Sequence, residues 1–111
     1  MNNILQLIDV PAPPVDGPAR ETRVLAEMEG LKLVAITLRP GGELPDHVAP
    51  GPITVQVVVG RVAITVAGET QELAPGRIAV VAAGVHHALR QVGDDPALVL
   101  LSRCPAPASK P

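Results

Sequence analysis

A chain of 111 residues has room for one domain around one core, and 47% of it is hydrophobic, enough to fill that core. None of those residues is Phe, Tyr or Trp, which removes the aromatic platforms on which single-stranded nucleic acids stack. Net charge is −2 and the nine Lys and Arg are scattered, so no basic block exists to neutralise a phosphate backbone. No apolar run approaches the ~18 residues that cross a membrane, and Met1-Asn2-Asn3 has no positive n-region, so neither a span nor a secretory signal is expected. The lone cysteine, Cys104, cannot close an internal disulfide, which fits a reducing cytoplasm.

The apolar set is mostly Val, Ala, Leu and Ile, and the β-branched members favour pleated strands. In chain order, residues 3–10 alternate loosely and suggest an edge strand. Residues 11–19, PAPPVDGPA, are a Pro-rich connector that cannot be helical. Thr22 to Met28 and Leu31 to Leu38 form a hairpin pair around Glu29-Gly30. Residues 43–48 are short and irregular. Ile53 to Val59 has the clearest period of two: Thr54 and Gln56 lie on one face, Ile53, Val55, Val57 and Val59 on the other. Gly60-Arg61 turns the chain, Val62, Ile64 and Val66 alternate again, and Glu69 to Leu73 follows Ala67-Gly68. Ile78 to Ala83 is a continuous apolar strand. Residues 86–92 and 97–102 complete the set, and the Pro- and Ala-rich tail, 105–111, is expected to be disordered. Nine or ten short strands, with turn signals every eight to twelve residues, imply an all-β sandwich or barrel occupying residues 1–104.

Two stretches carry more specific information. Gly41, His47 after five residues, Ala49, Ile53 and Gly60 stand at the spacing Gly-x5-His-x-His-x3-Glu-x6-Gly, with Ala49 in place of the second His and Ile53 in place of the Glu. Gly76, Ala82, Gly84, His87 and Gln91 stand at the spacing Gly-x5-Pro-x-Gly-x2-His-x3-Asn, with Ala82 for Pro and Gln91 for Asn. In these stretches the chain resembles the cupin superfamily, with a degenerate metal-ligand set. The resemblance implies a small double-stranded β-helix, a jelly-roll-like barrel with a ligand pocket, often dimeric. Of the four usual metal ligands it leaves His47 and His87. The glycines need no family to explain them, since Gly tolerates positive φ at hairpins and bulges.

Residues i and i+2 of a strand share a face. His87 therefore goes with Leu89 and His86 with Arg90, which is rarely buried unpaired. That aims His87 inward and His86 outward. The orientation of His47 rests on the resemblance, because its local parity is ambiguous. Neutral imidazoles suit Zn, Ni, Mn or Fe, but two are fewer than the three protein ligands of a catalytic zinc. Glu43 or Asp46 is the available substitute carboxylate. Ile53 and Val55 are expected to line the pocket beside the two histidines. Gln56 is read as solvent- or dimer-facing, Met28 as core filler and Cys104 as a spectator thiol. Ser102 lacks a His–Asp partner, and Asp94-Asp95-Pro96 reads as a turn.

Three functions compete. The first is binding of a small molecule in an apolar pocket with His47 and His87 as its polar lining. The second is a metal-dependent enzyme of dioxygenase or isomerase type built on those two histidines and a substitute ligand. The third is an interaction module. Apolar strands without a polar face, Ile78 to Ala83 above all, suggest burial on both sides and hence a homodimer.

Overall fold

The computed structural model describes residues 4–106, and within them the chain is all β, with nine strands and no helix. The strands are β1 (Arg20–Met28), β2 (Leu31–Leu38), β3 (Glu43–His47), β4 (Ile53–Val59), β5 (Arg61–Val66), β6 (Glu69–Leu73), β7 (Ile78–Val81), β8 (His87–Val92) and β9 (Ala97–Arg103). A five-stranded sheet has the order β1-β2-β9-β4-β7 and a four-stranded sheet the order β3-β8-β5-β6. All neighbouring strands are antiparallel. This is the double-stranded barrel that the strand pattern and motif spacing imply.

Alternation builds the interior. Ile53, Val55 and Val57 of β4, Val62 and Ile64 of β5, Val34, Ile36 and Leu38 of β2, and Val99 and Leu101 of β9 are all buried in one cluster between the sheets. Val66 packs against its edge, and Gln56 is exposed on the opposite face of β4. Burying a Val, Leu or Ile side chain contributes roughly 1.5–3 kcal/mol, so one strand out of register would forfeit several such terms at once.

All four motif glycines adopt positive φ: Gly41 at 83°, Gly60 at 81°, Gly76 at 98° and Gly84 at 76°. Gly60 has a second constraint. A Cβ there would lie 2.7 Å from the Pro96 carbonyl oxygen and 2.8 Å from the Ala97 Cα, so the β4–β5 turn can pass under the start of β9 only without a side chain.

Several expectations need correction. Residues 4–10 form no strand; they precede the Pro-rich connector, and the first ladder begins at Arg20, beyond its last proline. Residues 43–47 do form a strand, although Pro45 lacks a ladder donor. Val59 is 43% exposed because the β4–β9 register shifts between Val57 and Val59, and a bulge reverses parity beyond it. Residues 78–83 are not buried on both sides. β7 ends at Val81 and is an edge strand, with Val81 inward while Ile78 and Val80 are 58% and 75% exposed. Met28, read as core filler, is half-buried at the end of β1 and outside the core cluster. Of the expected tail at 105–111, residues 107–111 lie outside the described residues.

The Pro-rich connector is anchored by a buried cation. Arg39 is only 4% exposed; its Nε donates to the Pro14 carbonyl (3.0 Å), and its Nη1 to the Pro18 carbonyl (2.7 Å) and to Glu21 Oε1 (2.7 Å). These bonds turn 14–18 back onto the barrel beside the end of β2.

Candidate functional site

The site begins with an irregularity in β3. Leu44 pairs with Leu89, but His47 pairs with His87, so three steps along β3 match two along β8. Pro45, which cannot donate to a ladder, occupies this bulge. Strict alternation from the inward Leu44 would have turned Asp46 inward and His47 out. The extra residue reverses that. Asp46 is exposed and its Oδ2 meets His86 Nδ1 at 2.7 Å on the surface, while His47 turns to the cavity. His86 is outside, as its parity with Arg90 requires.

His87, 1% exposed, opens β8 between the sheets. Its Nε2 lies 2.9 Å from His47 Nε2, with ring centroids 4.0 Å apart and an interplanar angle of 64°. The far nitrogens are tied alike. His47 Nδ1 is 2.9 Å from the Pro45 carbonyl oxygen and His87 Nδ1 is 3.1 Å from that of Val85. A carbonyl only accepts, so both Nδ1 atoms carry hydrogen. Both Nε2 atoms then present lone pairs to each other across 2.9 Å, an arrangement that needs a proton or another cation between them. Burial is the main influence holding the His87 proton affinity below that of an ordinary histidine; the Val85 carbonyl opposes it, His47 adds to it, Asp46 opposes and His86 adds.

The pair lines a cavity of about 230 Å³. Ile53 lines it with His47 and His87, whereas Val55 does not. Val55 shares the face of Ile53 but sits one row deeper, opposite Leu101 and Ala79, and is 1% exposed in the core. Neither Glu43 nor Asp46 reaches the cavity, because the bulge that admits His47 turns the acidic neighbour away. Ala49 and Ile53 supply no donor, and no group of three His, Cys, Asp or Glu suited to a metal ion occurs among the described residues. Gln91 is buried with its Nε2 donating to the carbonyls of Gly93 (2.7 Å) and Asp95 (2.8 Å), so it ties the turn after β8 and takes no part in the site.

The two charged lining residues, Lys32 and Arg103, were missed by the sequence reading. A signal for both was present. Lys32 has the parity of the buried Val34, Ile36 and Leu38, and Arg103 that of Ala97, Val99 and Leu101.

Comparisons with known proteins agree with the fold. A family model described as a cupin domain matches residues 34–102. A conserved protein of unknown function from Streptococcus pyogenes is similar at 27% identity and a TM-score of 0.73, over 96% of this chain and 100% of that one. A protein from Thermus thermophilus is similar at 28% identity and a TM-score of 0.75, over 86% of this chain and 91% of that one. An RmlC-like cupin with a double-stranded β-helix fold from Methanocaldococcus jannaschii shares the fold at 16% identity and a TM-score of 0.77, over 92% of each chain. The comparison with curated proteins gave no match.

Proposed function

The chain belongs to the cupin family, and on that footing we propose that it binds a small molecule between its two sheets, with His47 and His87 as a polar pair in an otherwise mainly apolar cavity. The observation that carries this reading is the convergence of the two Nε2 atoms, 2.9 Å apart, on a cavity of about 230 Å³. Ligand sites have this anatomy, apolar walls with few placed polar groups. The reading includes one barrel domain reaching residue 104, a cytoplasmic setting suited to the exposed free thiol of Cys104, and a homodimer.

The donor set does not fit the family's resident metal centre. Two imidazoles remain, the positions of the other two ligands hold Ala49 and Ile53, and among the described residues no third His, Cys, Asp or Glu lines the cavity. A second reading keeps a place because the rings are oriented as metal-ligating histidines are, each Nδ1 held by a carbonyl. Under it, a loosely held Zn, Ni, Mn or Fe ion on His47 and His87 would serve a metal-dependent enzyme of dioxygenase or isomerase type.

A fragment screen read on methyl resonances tests the first reading. Shifts should concentrate on Leu44, Ile36, Ile53 and Leu101, which line the cavity; a screen in which no fragment moves them would overturn it. Thermal shifts with the four metal ions test the second. An ion at a hundred times its dissociation constant adds about 2.7 kcal/mol, which His47→Ala and His87→Ala would abolish and His86→Ala would keep. No shift with any ion removes the metal reading.

A further inference from the structure

The cavity wall also carries two cations. Lys32 on β2 and Arg103 on β9 face each other in register and both line the cavity. Facing residues of an antiparallel pair have Cβ atoms ~5 Å apart, and like charges placed so repel. Neither side chain forms an ion pair or hydrogen bond among the described residues. Every Asp and Glu side chain of the chain lies within those residues. Glu27 stands across from Lys32 in the β1–β2 register, yet it forms no ion pair with it and is absent from the cavity wall. The wall contains no carboxylate at all.

Two cations without an ion pair among the described residues, Lys32 half-buried and Arg103 exposed, line one cavity and together suit an anion. Apart from Lys32, Arg103, the two imidazoles and Thr22 the wall is apolar, with Val24, Val34, Ile53 and Leu101 among its residues. The cavity, about 230 Å³, has the volume of about eight water molecules at ~30 Å³ each.

We propose that the ligand is a small aliphatic carboxylate, its charge held between Lys32 and Arg103 and its hydrocarbon body laid over Val34 and Leu101 toward His47 and His87. This rests on the small-molecule reading above and adds the ligand's chemical class. Lys and Arg together are well made for it, the Arg as a planar fork and the Lys as a point charge.

Hexanoate, hexanol and hexylamine, equal in chain length and different in charge, distinguish the possibilities. Each is titrated against the wild type, Lys32→Gln/Arg103→Gln and Glu27→Gln, following the cavity methyl resonances. Lys32 is half-buried and Arg103 exposed, so the double variant folds, which circular dichroism verifies. Hexanoate should bind at least tenfold tighter than hexanol, hexylamine should bind no better than hexanol, and the double variant should reduce hexanoate to the level of hexanol. Glu27→Gln should leave hexanoate binding unchanged or tighter. Hexanol or hexylamine binding as tightly as hexanoate, or a double variant that retains the preference, overturns the carboxylate assignment while leaving small-molecule binding intact. Cavity methyls unmoved by all three compounds overturn both.

Discussion

Replacing Arg39 with Met tests whether a single buried guanidinium holds the Pro-rich connector to the barrel. Met keeps much of the length and the apolar contact of the stem but makes none of the bonds to Pro14, Pro18 and Glu21. Hydrogen bonds from a charged donor contribute about 1.5–3 kcal/mol each, so the two carbonyl contacts carry about 3–6 kcal/mol. Two effects offset that loss. Arg39 Nη2 is buried with no partner, a cost of roughly 1–3 kcal/mol that Met removes. Glu21 is 54% exposed and regains water, so its ion pair adds little. The net expectation is a destabilisation of about 2 kcal/mol, or a Tm lower by about 8–16 °C for a domain of this size. Thermal unfolding gives the magnitude, and limited proteolysis gives the mechanism: cleavage should appear within 11–19 while the strands stay protected. A Tm within about 2 °C of wild type, together with a connector as resistant as before, would refute the reasoning, because the bonds would then be geometrically present and energetically idle.

Three other outcomes follow from particular contacts. Gly60→Ala combines a positive φ of 81° with a clash on Pro96 and Ala97, so denaturant unfolding should show a loss of about 1–3 kcal/mol; a neutral result would mean that the β4–β5 turn relaxes freely. Burial lowers the proton affinity of His87, so the unfolded chain takes up that proton first; the associated stability is complete above about pH 6.5 and is lost as pH falls below it toward the lower folded-state value. Stability measured from pH 7.5 down to 5 should therefore decline, less steeply in His87→Gln, and a wild type that gains stability in acid would refute this assignment. The exposed Ile78 and Val80 on edge strand β7 should contribute to a dimer visible by light scattering at tens of micromolar, weakened by Ile78→Thr/Val80→Thr; a monomeric wild type sinks that proposal.

The sequence by itself determined the strands and most of their inward faces. Period two is a local property, so Ile53-Thr54-Val55-Gln56-Val57 states which side is buried without any knowledge of its neighbours, and the glycines at 41, 60, 76 and 84 mark where each alternation must stop. The same parity placed His87 inside and His86 outside. What only the tertiary structure decided lies where pairing between strands overrides alternation within one. The bulge around Pro45 turns His47 inward and Asp46 outward, and the one beside Val57 exposes Val59; a bulge is defined by two strands in register, and a single strand carries no record of its partner. β7 reads as a buried strand because its composition is apolar throughout, but its place at the edge of the sheet depends on strand order. Val55 and Ile53 share a face and both are buried in the core, but only Ile53 also reaches the cavity wall. Lys32 and Arg103 are 71 positions apart in the chain and meet because β2 and β9 pair antiparallel. Parity marked each as inward-facing, but the pairing brought two charges together with no carboxylate on the wall between the sheets.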